Sequence, residues 1–501
     1  MSLNSRGLSG IGALRLSYAL WILTLAAATI AAAGCGGGSG MGTGTTFSGN
    51  TTVVLLASST ANDQLFQFSV TLKSLTLTPQ SGLEVSLLTN PISEEFMHLN
   101  GHVEPLATVS VPQGIYTSAT AIVSGAFPAC AGLSSGQLLI DEALGGLKGL
   151  TPASIEMQPP ITVTGSTMGL VLNLQVSKTA PFNGGCSQSL TNSMFFTPTF
   201  SLTPLSITAR PTNSGNGRVL GVEGQVSSVS ADGSGFAVGS FYSTNEGNTL
   251  PTWEVSADSS TTFEGVGSAS GLTAGMPVDM DLAIQPDGSL LATRVAVYDT
   301  DTTNLSLAFG PPMSIYASGA YQAVYPVMNV LQVEQGGYLS ELWGAYGDLS
   351  NAAPQISSQL TNLQSLPFAA TFNPANMVDG QNILFSTHTP QPTPFQPVTT
   401  LTLLPQTIDG TVSAVSSQGN FTTYTVTLAP YDLFPNLAVQ PGQTTLLTNP
   451  DTVVVYADSS TQMLNSSTIA AGGLFRFYGL VFDDNGTLRM DCAQVNDGVP
   501  E

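Results

Sequence analysis

Positive charge is scarce in this chain. Ten Lys and Arg stand against 32 Asp and Glu, for a formal net charge of −22. Such a field repels nucleic acid and anionic lipid, and no basic cluster overrides it. Nucleic-acid binding is excluded on that ground. Histidine is scarcer still, with three residues, so a catalytic triad has few sources. The four cysteines form no CxxC pair and no Cys/His spacing of a zinc site. Charged residues of both signs make up 8% of the chain, against about 25% in an ordinary domain. Ser, Thr, Asn, Gln and Gly supply the polar surface instead.

What remains reads as strands. The 42% hydrophobic content is ample for packed cores. Short Val- and Thr-rich runs broken by Gly and Pro indicate an all-β chain. The length of 501 residues allows about three or four domains.

The amino-terminal segment reads as an export signal. Arg6 and Arg15 precede an apolar stretch from Ala19 to Ala33, interrupted by Thr24 and Thr29. That is shorter than the ~20 apolar residues of a transmembrane helix. A positive start, a short apolar core and small residues before a cut mark a signal peptide. Ala32-Ala33-Gly34-Cys35 resembles a bacterial lipoprotein cleavage site, although that pattern usually has Leu where Ala32 stands. Ala31-Ala32-Ala33 would also serve an ordinary signal peptidase. On the lipoprotein reading the chain is exported and cut before Cys35, and it carries lipid on that thiol. It is then anchored to the outer membrane, facing the periplasm or the cell surface. Residues 35–50 are a Gly/Ser-rich tether, a flexible coil of about 20 Å root-mean-square span.

An exported chain meets an oxidising compartment, where cysteines pair. Cys130 and Cys186 fall in one expected domain, so a Cys130–Cys186 disulfide is expected and Cys492 is left over.

The expected organisation is a signal peptide at 1–34, the tether, and a β-sandwich at 51–207. A linker at 208–217 precedes a β-barrel repeat at 218–304, a divergent β unit at 305–406 and a second barrel repeat at 407–498. In the sandwich, Phe66, Phe68, Val70 and Leu72 alternate with polar residues at period two. Further strands are expected at Val85–Leu88, Thr108–Val111, Tyr116–Ser124, Leu170–Val176 and Phe195–Leu202, with a short helix at Asp141–Lys148. Many short strands around one core suggest a sandwich.

The repeat rests on three blocks in the same order. Gly224-Gln225-Val226-Ser227-Ser228-Val229 recurs as Gly410-Thr411-Val412-Ser413-Ala414-Val415. Val255-Ser256-Ala257-Asp258 recurs as Val455-Tyr456-Ala457-Asp458. Gly275 through Asp287-Gly288-Ser289-Leu290 aligns with Gly473 through Asn485-Gly486-Thr487-Leu488. Asp-Gly and Asn-Gly between apolar runs are hairpin signals. A closed barrel removes the exposed strand edges of such a unit. This register puts Cys492 where Arg294 stands, and so at or near the surface. Asp379-Gly380 has the look of the same block in the middle unit.

The Gly-x-Val-x-x-Val opening, the Ala-Asp-x-x-Thr centre and the Asp/Asn-Gly hairpin resemble a family of small barrel-like domains of unknown function. These OB-like domains occur in tandem in Gram-negative lipoproteins. Phe66-Gln67-Phe68-Ser69-Val70 and Val111-Pro112-Gln113-Gly114-Ile115-Tyr116 resemble a second uncharacterised lipoprotein family, often with a transthyretin-like sandwich. The resemblance implies fold and location and supplies no site.

Few residues suggest chemistry. Gly132-Leu133-Ser134-Ser135-Gly136 fits the nucleophile-elbow pattern, which needs a strand-turn-helix to present the serine; an all-β context favours a plain Gly/Ser loop. His98 and His102 are four apart and could bind zinc on a helix, but Asn100 and Gly101 argue for an exposed turn with two solvated histidines. His388 lies in a Pro-rich loop. Asp299–Asn304 and Asp483–Gly486 offer oxygen ligands without a calcium-loop spacing, and Asp and Asn are ordinary turn formers. Trp253, Trp343, Tyr346, Phe475, Phe477 and Tyr478 could form a sugar platform or simply pack. No catalytic residue, metal or cofactor is assigned. The expected role is non-catalytic binding or scaffolding, with a protein or glycan ligand. The rival is an exported hydrolase or metal-dependent enzyme using Ser134 or His98 and His102.

Overall fold

A computed structural model describes residues 47–498, except 61–64, 135–136, 143–149, 158, 180–197, 206, 208–216, 246–250, 319–320, 333–341, 345, 358–362, 390–394, 431, 433, 436–446 and 465–467. Cys35, Cys186, the signal segment and nearly all of the tether and linker lie outside the described residues. Cys130 is described only as backbone of the strand Gly114–Ser134, so the expected disulfide lies outside as well. The chain is all-β. A four-residue α-helix stands at Val176–Thr179. Of the helix expected at Asp141–Lys148, Asp141 and Glu142 belong to the strand Gln137–Glu142, and residues 143–149 are outside the description. No helix among the described residues is long and apolar enough to cross a membrane.

The amino-terminal unit is one curled sheet. One half is built on Leu65–Pro79 and Gly114–Ser134, the other on Asn50–Ser59 and Thr167–Leu174. The short strand Thr151–Glu156 pairs with both halves and joins them. The halves therefore close on a shared core, as the layers of a sandwich would, without being separate sheets. Phe68, Val70 and Leu72 enter this core from one half, Val53 and Leu55 from the other. Strand Asn50–Ser59 is apolar on both faces for a reason: Val54 and Leu56 point the other way, into the core of the first barrel. A strand buried on both sides loses its alternation.

The two repeats share one topology. In the first, the order is Thr252–Ser256, Gly235–Ser240, Arg218–Val229, Pro277–Ile284, Leu290–Val297, with Thr252–Ser256 pairing back onto Leu290–Val297 to close the barrel. In the second it is Thr452–Ala457, Phe421–Leu428, Gln406–Gln418, Leu474–Asp484, Thr487–Asp497, closed in the same way. A short sixth strand, Thr262–Glu264 or Gln462–Met463, lies outside the last one. The opening glycine of the motif has a steric cause. A Cβ on Gly224 would lie 2.5 Å from the carbonyl oxygen of Gly239, and one on Gly410 would crowd the Thr427 carbonyl even more. Both glycines precede a bulge, at Val226/Ser228 and Val412/Ala414.

The register of the closing block differs from the sequence alignment. Val226 does match Val412, and Val255 matches Val455. Thr261 donates its hydroxyl proton to the Ala292 carbonyl, and Thr461 donates to the Cys492 carbonyl. Thr262 pairs with Arg294 and Gln462 with Gln494. Cys492 therefore corresponds to Ala292, not Arg294, and Leu290 corresponds to Met490. Gly275 likewise matches Gly472, since their N–H groups donate to Val226 and Val412. The alignment slipped because the hairpins differ. Asn485-Gly486 is a two-residue turn with both φ positive, whereas Asp287-Gly288 sits in a wider loop closed by Gln285 and Ser289. Matching the two glycine turns hid the extra hairpin length. Cys492 is accordingly buried in the second barrel's core and free, not near the surface. Arg294 is buried too.

The middle unit takes another strand order. Ser306–Gly310 lies between Ile383–Thr387 and Tyr321–Gln332 in a nine-stranded sheet, and among the described residues no pairing closes it into a barrel.

Candidate functional site

The turn at 96–102 follows the strand Ile92–Glu95 and leads into Glu104–Pro112. It is a run of tight turns: the N–H groups of Leu99, Asn100 and His102 donate to Phe96, Met97 and Leu99. Gly101 at φ 79° completes it. A turn was expected here, but an exposed one was not found. His102 is 6% exposed, and Glu94, Glu95 and Glu104 are buried with it. Distant segments cover the turn. Ser243–Asn245, from the first barrel segment, pairs with Ile92–Glu95. Thr407 Oγ1 donates to the Asn100 carbonyl and Gln494 Nε2 to the Gly101 carbonyl, each at 2.5 Å. Arg476 Nη1 donates to the Ser59 carbonyl at 2.8 Å.

Glu95 organises the interior of the turn. Its Oε1 accepts from the N–H groups of Phe68 and Met97 at 2.8 and 2.9 Å, and its Oε2 accepts from the His98 N–H at 3.0 Å. Burial alone would raise this carboxyl. The hydrogen bonds and the His98 ring outweigh it and hold Glu95 below the usual carboxylate range. His98 Nδ1 lies 3.2 Å from Glu95 Oε2, which aims Nε2 the other way. Nε2 faces Glu104 Oε2 at 3.3 Å and Glu94 Oε1 at 3.9 Å. The ring stacks on Tyr242 at 3.7 Å between centroids. Burial pulls His98 down, yet Glu104 and Glu95 beside it raise it to about 10. Glu94 is pushed up to about 8 by burial, with Glu104 and Glu95 adding and His98 opposing.

His102 is turned away from this group. It meets His98 edge-to-face at 6.1 Å and stacks on Tyr478 at 5.0 Å. Burial, with the His98 and Arg476 charges, pushes it down to about 3. The structure thus joins His98 to Glu94 and Glu104 rather than to His102. Their separation in sequence carried one cue: Glu94 and His98 are four apart, as the two histidines are.

A cavity of about 200 Å³ opens beside the turn. Glu95, His98 and His102 line one side; Glu223, Tyr242 and Tyr298 of the first barrel unit line another. Residues of 309–311, 380–382 and 404–407, with Tyr478 of the second barrel, complete it. Glu223 accepts hydrogen bonds from the hydroxyls of Tyr242 and Tyr298. Burial and the Asp279 charge push it up to about 7 despite them. No local pattern pointed to Glu223, because its neighbours at the cavity come from distant parts of the chain.

The other sequence candidates fall elsewhere. Ser134 ends a strand and pairs with Gln137 in a hairpin, not in a strand-turn-helix. Asp299 and Asp301 accept from the N–H groups of Asp301 and Thr303, and Asp483 accepts from Gly486 N–H; both runs make turns. Trp253 donates its indole N–H to the Pro105 carbonyl at 2.9 Å. Phe475 and Phe477 pack in the second barrel's core. The side chains of Trp343 and Tyr346 lie outside the described residues.

His388 fastens a loop. Its Nε2 is 3.1 Å from Asp299 Oδ2 and its Nδ1 3.0 Å from the Thr303 carbonyl. Burial lowers this imidazole, but the two acceptors outweigh it and raise it above 6.5. A raised histidine contributes stability that is complete below its unfolded pKa and is lost as pH rises through the folded one. Hydrogen-exchange protection factors at 300–304 should therefore be higher at pH 6 than at pH 9. His388→Gln should erase the difference; an unchanged difference in that variant would assign it elsewhere.

Comparison with known families fits the first barrel. Residues 223–296 are a DUF5666 domain, a domain of unknown function. The DUF5666 segment runs from Glu223 to Ala296 in the closing strand, and it supplies Glu223 and Tyr242 to the cavity. No curated protein matches the chain.

Proposed function

We propose that this is a lipid-anchored β protein of the cell envelope that binds a small polar ligand at the junction cavity and does no chemistry on it. The cavity carries the reading: its wall draws on the amino-terminal sheet, both barrels and the middle unit, and carboxylates and tyrosines converge on it. Small-ligand sites favour such junctions, with a few polar groups among aromatic ones. The anchor rests on Cys35 and its Gly-rich tether. The rival hydrolase lacks support at Ser134, which sits in a hairpin.

Two arms test the proposal. Cys35→Ser should move the protein from the membrane to the soluble fraction, because acyl chains contribute about 0.8 kcal/mol per buried CH₂. The full chain should show no turnover of generic carboxylic ester, phosphoester or peptide substrates. Turnover abolished by Ser134→Ala or His98→Gln would make it an enzyme, and a wild type already soluble with an unmodified Cys35 would remove the anchor.

A further inference from the structure

We propose that Glu94, His98 and Glu104 bind one divalent transition-metal ion of the zinc class, with Glu95 as the residue that orients His98. This does not rest on the ligand-binding reading above. One ligand atom from each of Glu94, His98 and Glu104 lies within 4.8 Å of the other two. Donors bound at about 2.0–2.1 Å in a tetrahedral zinc site stand about 3.3 Å apart. His98 Nε2 is already 3.3 Å from Glu104 Oε2, and Glu94 Oε1 at 3.9 Å needs only a small approach.

The second observation is independent of that clustering. Glu94 Oε1, His98 Nε2 and both Glu104 oxygens are buried and make no well-formed hydrogen bond; the 3.3 Å approach of His98 Nε2 to Glu104 Oε2 is their one close polar contact. Buried polar atoms are nearly always satisfied, and four that converge without a well-formed hydrogen bond call for a partner they share. A proton can serve one pair among them; a divalent ion serves all three side chains and offsets the charge of two carboxylates.

The surroundings are those of a metal ligand set. An imidazole bound to metal through one nitrogen presents the other to a carboxylate, which fixes ring and tautomer. Glu95 stands there at 3.2 Å, itself held by three backbone N–H groups. Ser243 donates its hydroxyl proton to Glu94 Oε2, leaving Oε1 free to ligate. One imidazole and two carboxylates suit zinc and neighbouring first-row ions, whereas calcium wants six to eight oxygens. Cys492, the one cysteine whose side chain is among the described residues, lies in the second barrel's core.

The test uses the full chain, stripped with chelator and titrated with Zn²⁺ alone. One ion per chain is expected by calorimetry and by metal analysis after gel filtration. Glu104→Gln should weaken binding more than about 100-fold, beyond the 10–100-fold that loss of an outer partner costs. His388→Gln should leave it unchanged. Zinc-edge X-ray absorption of the wild type needs no variant to fold; it should show one imidazole, oxygen donors and no sulfur. Failure to retain zinc, sulfur among the donors, or unchanged affinity in folded Glu104→Gln would each overturn the site.

Discussion

Arg294→Met should destabilise the first barrel by about 3–5 kcal/mol, the usual result of removing one partner from a buried ion pair. Arg294 Nη1 lies 3.0 Å from Asp279 Oδ2 and 3.9 Å from Asp281 Oδ2, and its Nε is 3.2 Å from Glu264 Oε1. Arg294, Asp279 and Asp281 are all buried. Ser357 of the middle unit joins the group, donating to Asp279 Oδ2 at 3.1 Å. Methionine keeps most of the volume and removes the cation, leaving two carboxylates facing each other out of water. Burial already lifts Asp281 to about 6, against the pull of Arg294. Denaturant unfolding at pH 7 checks the loss. Adding Asp279→Asn and Asp281→Asn should restore most of it, because a neutral trio has no orphaned charge. A single variant within about 1 kcal/mol of wild type would mean that water reaches the pair.

The same residue shows where sequence reasoning reached its limit. An arginine in an aligned column suggests a surface position, and Arg294 breaks that rule because acids of the adjoining strands neutralise it. The repeat itself was legible: Gly224 and Gly410 are forced by a neighbouring carbonyl, and Val226 and Val412 open the same bulge. Such features depend on contacts inside one barrel. The closing register was not, because the turns at Asp287-Gly288 and Asn485-Gly486 look alike in sequence and differ in length. The amino-terminal strands could be read from alternation at Phe68, Val70 and Leu72. Strand Asn50–Ser59 could not, since its second face is buried by another unit.

The candidate site was half legible for the same reason. Asn100 and Gly101 announced a turn, and the chain makes one. Its burial depends on Thr407 and Gln494, hundreds of residues away, and no local pattern carries that information. Nor could spacing choose Glu104 over His102 as a neighbour of His98 Nε2. That choice is made by Glu95, which takes Nδ1 and so sets the ring.

Asp491→Asn should stabilise the second barrel at alkaline pH and leave it unchanged in acid. Asp491 lies in the strand Thr487–Asp497, opposite Leu480 and beside Tyr456, and is 7% exposed. Burial, with the Asp458 charge, pushes its carboxyl from 3.8 up to about 7. The sign follows from linkage. Below about 3.8 the folded and unfolded chains both hold the proton, and nothing is lost. Between 3.8 and about 7 the unfolded chain releases it while the folded chain keeps it, so stability falls as pH rises. Above that range the full difference applies, as much as about 4 kcal/mol. Asparagine has no proton to lose and escapes this cost. The equivalent position in the first barrel is Leu291, so the strand accepts a neutral side chain there. Unfolding midpoints of wild type and variant should coincide at pH 4 and separate progressively to pH 8, the variant higher. An equal gain at both pH values would point to packing, and a loss at pH 8 would mean the carboxylate holds a partner worth more than its burial.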